Sequence, residues 1–373
     1  MKVLFTGGGT GGHFYPIIAI AQELNKRIEK EHFPELRLYF MSDNVYDERL
    51  LFENGIAFIK VKTGKVRKYF SILNILDVFK IPIAAIHALV RILFLFPDVV
   101  VGKGGYASFP ALFAARVLRI PVIIHESDSV PGRTNQWASK FAEKIAVSYP
   151  EAIELLPKEK TALVGNPIRK EVLTPSTEGA RELLGLEENV PVLFVLGGSQ
   201  GAQIVNEAIL QGTPELVQNY QIIHQVGENN VEEMKKLKEV IIKDIKLRDR
   251  YKIFGYLNNE AMRMSAGVAD LIISRAGSTI FEIAAWGIPS IIIPITNSNK
   301  DHQRKNAYSY ARAGACDVIE ERNLTPHLLV SEIDRLMKDT GRREEMSRAA
   351  KEFSKVDAAE QIAEQIVNIL LKH

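Results

Sequence analysis

The chain has 373 residues, which is long for a single hydrophobic core, so we expect two domains. Its content of 46% hydrophobic and 25% charged residues is that of a soluble globular protein. A formal net charge of +2 is too small to indicate nucleic acid as a partner. The single cysteine, Cys316, excludes an internal disulfide and a cysteine metal cluster.

The first residues run directly into a predicted strand, which leaves no room for a cleavable signal peptide. The longest nearly apolar run, residues 81–96, is interrupted by His87 and Arg91. It is shorter than the roughly 20 residues that span a bilayer. We therefore expect a cytoplasmic protein without a membrane-spanning helix.

Short apolar runs alternate with segments of helical period along the whole chain, which predicts strand–helix units around parallel sheets. The predicted strands are residues 3–6, 38–41, 99–101, 122–125, 144–147, 162–164, 192–196, 221–225, 252–254, 271–274 and 290–294. The predicted fold class is α/β, with two doubly wound Rossmann-like domains that face a central cleft. Gly165-Asn166-Pro167 marks the hinge, giving domains 1–165 and 166–355, with a final helix in 356–373 expected to pack back on the first domain.

An internal repeat supports this division. Residues 98–124 and 270–292 each read as a strand, a basic residue, a glycine turn, a helix and an Ile-Pro entry to the next strand. The two domains are therefore predicted to be related, although ordinary α/β sequence patterns account for part of the likeness.

Two glycine-rich turns, residues 7–13 and 197–201, each follow a predicted first strand and open a helix. Such turns bring backbone N–H groups close to an anion at a helix N-terminus. The first turn also fits the G-x-G-x-x-G pattern of NAD-dependent oxidoreductases, with Asp43 as a ribose partner. The second turn has no place in that alternative.

His13 begins the first helix, where the positive end of the helix dipole is expected to lower its pKa and keep the imidazole neutral. A neutral imidazole can accept a proton or bind a phosphate. The alternative is a histidine that only caps or packs.

In the second domain, Ser278 and Thr279 open a helix and Glu282 lies in its first turn. This pattern allows a capping box, or a nucleotide site in which Glu282 accepts hydrogen bonds from both ribose hydroxyls. Residues 297–306, which contain Gln303, have little to bury and are expected to contact ligand or solvent.

Arg169 follows the hinge and could bring its guanidinium to a diphosphate, the alternative being a surface ion pair. No Asp-x-Asp occurs in the chain, so the usual carboxylate pair for a metal-bound nucleotide diphosphate is absent. Helix dipoles and Arg169 are then expected to stabilise the leaving group, with no metal and no cofactor.

A basic segment precedes the longest apolar stretch, and together they predict a surface that rests on an anionic membrane. The alternative is a buried core helix. The basic residues are Lys60, Lys62, Lys65, Arg67 and Lys68.

The chain resembles the MurG family of bacterial peptidoglycan glycosyltransferases over nearly its whole length. The motifs that carry the resemblance are 7–13 with Tyr15-Pro16, Gly104-Gly105-Tyr106, His125-Glu126, 165–169, 197–202, 274–282, and Asp301-His302-Gln303 with Asn306-Ala307. The resemblance implies a GT-B fold and an inverting, metal-independent transfer of N-acetylglucosamine from UDP-GlcNAc to the 4-hydroxyl of the muramoyl sugar in lipid I. It also implies a peripheral location on the anionic inner face of the cytoplasmic membrane, and contacts with other cell-wall synthesis proteins.

By matching motif position, the resemblance assigns the donor to the C-terminal domain. It implies that Ser199 and Arg169 contact the diphosphate, that Ser278 and Thr279 contact the nucleotide, and that Glu282 contacts the ribose. Tyr106 is implied on the acceptor side. The remaining implied donor contacts are Gln303 to the sugar hydroxyls, the Leu257 backbone to uracil, and Thr10, Gly11 and Gly12 from the first domain.

Two departures from the family pattern matter. This chain has His125-Glu126-Ser127-Asp128 where the family commonly reads H-E-Q-N, so a carboxylate replaces an amide. Residues 275–282 are also one residue shorter than in many relatives. His13 and Asp128 are the two candidate bases. The alternatives in function are a GT-B enzyme or UDP-sugar epimerase acting on a soluble molecule, and an NAD-dependent oxidoreductase.

Overall fold

The computed structural model describes residues 1–8, 10–31, 35–64, 72–198 and 201–372. The chain forms two compact units, Met1–Arg169 with Val356–His373, and Lys170–Lys355. The sequence placed the boundary after residue 165, whereas the first unit continues to Arg169.

A parallel seven-stranded sheet forms the centre of the first unit, in the order β3-β2-β1-β4-β5-β6-β7. Strands β1 and β4 are buried along almost their full length, as expected where helices cover both faces of a parallel sheet. The strands are β1 (Lys2–Thr6), β2 (Arg37–Ser42), β3 (Ile56–Lys60), β4 (Val99–Gly102), β5 (Val122–Glu126), β6 (Lys144–Val147) and β7 (Thr161–Leu163). The helices are α1 (Gly11–Glu31), α2 (Glu48–Glu53), α3 (Ile72–Leu95), α4 (Phe109–Leu118), α5 (Arg133–Ala138) and α6 (Pro150–Ile153).

The second unit repeats this arrangement around a parallel six-stranded sheet. Its strands are β8 (Val192–Leu196), β9 (Gln221–Gln225), β10 (Tyr251–Phe254), β11 (Leu271–Ser274), β12 (Ser290–Ile292) and β13 (Cys316–Val318), in the order β10-β9-β8-β11-β12-β13. Its helices are α7 (Lys170–Leu173), α8 (Ala180–Leu184), α9 (Gln203–Asn219), α10 (Val231–Ile241), α11 (Ile245–Arg248), α12 (Asn259–Val268), α13 (Thr279–Trp286), α14 (His302–Arg312), α15 (Pro326–Lys338) and α16 (Thr340–Phe353).

The last helix, α17 (Ala358–Leu370), belongs to the first unit and packs against α1. Its buried face carries Ile362, Ile366 and Ile369, one turn apart, as an amphipathic helix requires. Among the helices of the described residues, none combines the length and the hydropathy needed to cross a membrane.

The internal repeat of the sequence is visible in equivalent hydrogen bonds of the two units. The Asp98 carboxylate accepts from the backbone N–H of Lys2 at 2.7 Å, and the Asp270 carboxylate accepts from that of Val192 at 2.8 Å. Asp98 therefore joins β4 to β1, and Asp270 joins β11 to β8. The shared sequence pattern reflects a shared local structure.

The sequence missed two strands, β3 and β13. Both lie at a sheet edge, where one side of the strand has no neighbour to pair with. β13 has only three residues, one of them Asp317, and so lacks the apolar run that identified the central strands.

Candidate functional site

The glycine loops that follow β1 and β4 meet at the carboxyl edge of the first sheet. The backbone N–H of Gly8 donates to the carbonyl oxygen of Gly104 at 3.0 Å. β1 and β4 are the neighbours at which the strand order reverses, and ligands of open α/β sheets bind outside that point. This edge of the first unit is therefore a candidate ligand site.

Close approach of these loops requires glycine at position 105. Its φ of 81° and ψ of 167° are essentially restricted to glycine. A Cβ placed on Gly105 would also lie 3.0 Å from the Cα of Gly8.

We expect Gly105→Ala to lower the free energy of unfolding by about 3 kcal/mol, through backbone strain and the collision with Gly8. Gly55→Ala is the matched control, because Gly55 also has a positive φ of 67° but has open space around it. We expect about 1 kcal/mol for the control. Denaturant unfolding measures both, and equal losses would contradict the packing of the two loops.

His13 lies where the two glycine loops meet. Its Nδ1 atom is 2.8 Å from the hydroxyl oxygen of Thr10. Its Nε2 atom faces the second loop, 3.7 Å from where a Cβ on Gly105 would lie. Gly11 and Gly12 are the first residues of α1. The structure thus brings together Thr10, Gly11, Gly12 and His13 at the N-terminus of a helix, which favours an anion or a proton acceptor there.

Glu126 shapes the loop that carries the second candidate base. Its carboxylate accepts hydrogen bonds from the backbone N–H of Asp128 at 3.0 Å, from that of Gly132 at 2.9 Å and from the Asn135 amide at 3.0 Å. Burial and the neighbouring Asp128 raise the pKa of Glu126. The two carboxylates therefore lie close enough to repel each other.

His125 precedes this loop and is fully buried. Its Nε2 atom is 2.9 Å from the carbonyl oxygen of Gly165. Burial and the nearby Lys103 hold the pKa of His125 well below its ordinary value, so the ring is neutral and Nε2–H donates to Gly165. His125 thus connects the end of β5 to the predicted hinge.

Tyr106 follows the second glycine loop and donates its hydroxyl to the Asp43 carboxylate. Burial and this contact raise the pKa of Tyr106 to about 12. Asp43 is the acidic residue that an NAD-binding site would use for a ribose. In this protein the Asp43 carboxylate accepts the hydrogen bond of Tyr106 instead.

Arg169 contradicts the alternative of a surface ion pair. Its side chain is only 6% exposed, and its guanidinium carbon lies 3.7 Å from the centre of the Tyr15 ring. This geometry is that of a cation–π contact, which holds the guanidinium against α1. Arg169 belongs to the first unit, not to the domain in which the sequence placed it.

The glycine loop after β8 forms the corresponding feature of the second unit. The Gly197 N–H donates to the Gln225 carbonyl oxygen at 3.0 Å, so the loop packs against the end of β9. Below it, Asn206 donates to the Val226 carbonyl oxygen at 3.0 Å and contacts the buried His224. Ser199, the predicted diphosphate contact, lies outside the described residues.

The start of α13 tests the capping-box interpretation of its sequence. Ser278 occupies the N-cap position, but its side chain makes no capping hydrogen bond. The capping-box alternative is therefore wrong. Thr279 begins the helix, and the half-buried Glu282 lies in its first turn. The Asn306 amide donates to the Ala276 carbonyl oxygen at 3.2 Å and fixes the preceding turn.

Gln303 lies in the first turn of α14, and the segment that leads into this helix is held by a partly buried ion pair that the sequence did not reveal. Arg275 and Glu321 meet at 2.6 Å, and the Thr296 N–H donates to Glu321 at 2.9 Å. Gln303 itself accepts from the Ile295 N–H at 3.1 Å. The sequence could not identify Glu321, because a lone glutamate in a polar segment carries no signal.

Each unit thus contains its own set of the predicted residues. The first holds Thr10, Gly11, Gly12, His13, Tyr106, Asp128 and Arg169, and the second holds Leu257, Ser278, Thr279, Glu282 and Gln303. Leu257 is 2% exposed and packs in the core beside β10. Within the described ranges there is no group of three or more His, Cys, Asp or Glu side chains placed to hold a metal ion.

Comparison with known proteins identifies the same family in both halves of the chain. Residues 3–147 match the glycosyltransferase family 28 N-terminal domain, and residues 192–362 match the glycosyltransferase family 28 C-terminal domain. A UDP-N-acetylglucosamine–N-acetylmuramyl-(pentapeptide) pyrophosphoryl-undecaprenol N-acetylglucosamine transferase from Lactiplantibacillus plantarum is 35% identical, with 99% of this chain and 100% of that one covered. The enzyme of the same name from Halothermothrix orenii is 37% identical, with 95% of each chain covered.

A solved structure supports the same assignment. The crystal structure of MurG from Acinetobacter baumannii is similar with a TM-score of 0.73 and 26% identity, covering 98% of this chain and 99% of that one. The two parallel sheets, each with the Rossmann strand order, are those of the GT-B fold. The chain therefore belongs to glycosyltransferase family 28, in the MurG family of N-acetylglucosamine transferases.

Proposed function

We propose that this protein transfers N-acetylglucosamine from UDP-GlcNAc to the lipid-linked muramoyl-pentapeptide acceptor, lipid I, in peptidoglycan synthesis. The observation that carries the proposal is 35% and 37% identity, over nearly the full length, to two relatives that bear this transferase name. The names of these relatives favour a transferase over an epimerase or an NAD-dependent oxidoreductase.

In the proposed reaction the 4-hydroxyl oxygen of the muramoyl sugar attacks the anomeric carbon of the donor. The bond from that carbon to the β-phosphate oxygen breaks, UDP leaves, and the anomeric configuration is inverted. His13 or Asp128 accepts the hydroxyl proton. Arg169 and the backbone N–H groups of the glycine loops stabilise the charge that develops on the diphosphate.

Apart from Ser199, the donor residues proposed in the second unit follow the carboxyl ends of β10, β11 and β12 in the chain. Ser278 makes no capping hydrogen bond, Asn306 fixes the turn before α13, and Glu321 holds Thr296 in the segment that leads into α14. Such support favours a preorganised nucleotide site. Glu282 is proposed to bind the ribose, and Gln303 the transferred sugar.

Incubation of the protein with labelled UDP-GlcNAc and a lipid-diphosphate-linked muramoyl acceptor, with a chelator present, tests the proposal. We expect labelled lipid-linked disaccharide and UDP, with no loss of rate on chelation. A control with UDP-GlcNAc alone measures hydrolysis. Product from a soluble acceptor but not from the lipid-linked one would contradict the acceptor assignment.

The proposed acceptor is lipid-linked, and we propose that an apolar surface of α3 contacts the membrane that holds this lipid. Ile83, Ile86, Val90, Leu93 and Phe94 are between 46% and 83% exposed and share one side of the helix. Ala84, Ala88 and Ile92 on the other side are buried, so the alternative of a wholly buried helix is wrong.

Basic residues precede this α3 face in the chain. Lys60, Lys62 and Lys80 are exposed nearby in the chain, while Lys65, Arg67 and Lys68 lie outside the described residues. Exposed apolar side chains with basic neighbours favour binding to an anionic membrane surface. We propose that the protein is peripheral on the cytoplasmic side of the cell membrane, where it can also meet other cell-wall synthesis proteins.

We expect Phe94→Ser to lower binding to vesicles that contain acidic lipids about tenfold, because burial of one such side chain is worth about 1.5–3 kcal/mol. Phe52→Ser on α2 is the matched control, since Phe52 is 87% exposed and α2 packs in a different hydrophobic cluster from α3. Vesicle flotation measures both variants. Unchanged binding of the Phe94 variant would exclude the α3 face as the membrane contact.

A further inference from the structure

Lys103 is a buried lysine that neither the sequence motifs nor the proposed mechanism uses. It follows β4 directly, where its N–H donates to the Thr6 carbonyl oxygen at 2.8 Å. The side chain is 2% exposed, and its Nζ atom makes no hydrogen bond within the part of the chain that the structure describes. A buried ammonium needs compensation by an opposite charge.

The charged groups that act on Lys103 come from the neighbouring strand and its loop. β4 pairs with β5 in parallel and Gly102 lies opposite Ile124, so Lys103 and Glu126 follow these partners at the same edge of the sheet. The carboxylates of Glu126 and Asp128 raise the pKa of Lys103, while burial lowers it, with a net value of about 8. Two further ionisable groups lie nearby: His125 at the end of β5 is neutral, and the Cβ atoms of Lys103 and His13 lie 3.4 Å and 3.6 Å from where a Cβ on Gly7 would lie. Lys103 is therefore charged near neutral pH and lies in the field of two carboxylates.

This arrangement bears on the unusual carboxylate at position 128. An amide there would leave one buried carboxylate, Glu126, which accepts three hydrogen bonds from the surrounding N–H groups. Asp128 adds a second negative charge beside it, at a cost that a nearby cation offsets. Lys103 supplies that cation from the adjacent strand.

We infer that Lys103 is the counter-ion of the Glu126 and Asp128 carboxylates and a positioning residue for Asp128. The positioning part rests on the proposed transferase function, and the counter-ion part does not. Two measurements separate them.

The first measurement is thermal unfolding at pH 7 of wild type, Lys103→Met, Asp128→Asn and the double variant. Removing one partner of a buried charge pair is strongly destabilising, so Lys103→Met should lower Tm by about 10 °C. The double variant should regain at least half of that loss, because Asp128→Asn also removes the negative charge that lies beside Glu126. If the losses in Tm of the two single variants simply add in the double variant, the counter-ion role of Lys103 is wrong.

The second measurement is the pH profile of kcat for wild type and Lys103→Arg. Arginine keeps the positive charge, and this measurement does not require the Lys103→Met variant to fold. Deprotonation of Lys103 above pH 8 should lower kcat of the wild type, whereas arginine stays charged and should hold kcat level to about pH 10. Coincident profiles would overturn the positioning role. If the wild type shows no transfer at any pH, the proposed function fails, and the unfolding measurements still test whether Lys103 is the counter-ion of the two carboxylates.

Discussion

Replacing the base of the proposed transfer should lower kcat at saturating UDP-GlcNAc by at least about a hundredfold. The variants are His13→Gln and Asp128→Asn. His13 is oriented by Thr10 and lies between two glycine loops, which gives its ring a defined place at the candidate site. Asp128 is held through the Glu126 carboxylate, which accepts its backbone N–H.

Single-turnover assays of the two variants identify the base, since only one of them should lose the full factor. Thr10→Val is a control for orientation, because it removes the hydroxyl near Nδ1 but leaves the imidazole in place. We expect a loss of about tenfold for this control if His13 is the base, consistent with one net hydrogen bond. Near-normal turnover in both base variants would exclude both candidates.

The second large effect is expected on donor binding. Glu282→Ala should weaken UDP-GlcNAc binding by about 10- to 100-fold, because hydrogen bonds to a charged group are worth about 1.5–3 kcal/mol. Glu282 lies in the first turn of α13, behind a serine that makes no capping contact. Calorimetry with UDP-GlcNAc measures the change in Kd.

A matched variant, Glu260→Ala, removes a first-turn glutamate of the nearby helix α12 and should leave Kd unchanged. A donor analogue that lacks the ribose hydroxyls provides a second check. It should bind wild type and Glu282→Ala with similar affinity, since the lost contact is absent in both cases. A full effect of the mutation on that analogue would show that Glu282 acts elsewhere than on the ribose.

The amino-acid sequence by itself determined the features that depend on neighbouring residues. Apolar runs identified the central strands such as Val192–Leu196, and glycine patterns located the turns after β1 and β8. The repeated pattern of a strand, a basic residue, a glycine turn, a helix and Ile-Pro in residues 98–124 and 270–292 predicted two related units, because the pattern is carried by residues adjacent in the chain. The family motifs are equally local, and they identified the enzyme class.

Tertiary structure alone decided which distant residues meet. The stacking of Arg169 on Tyr15, the pairing of Arg275 with Glu321 and the burial of Lys103 beside Glu126 all join segments far apart in the chain. Neither residue of such a pair signals its partner, because the contact arises only when parallel strands align their carboxyl ends at one edge. The same alignment of strand ends brings polar residues from separate segments together into a site. The periodicity of the sequence does not predict which strand ends become neighbours.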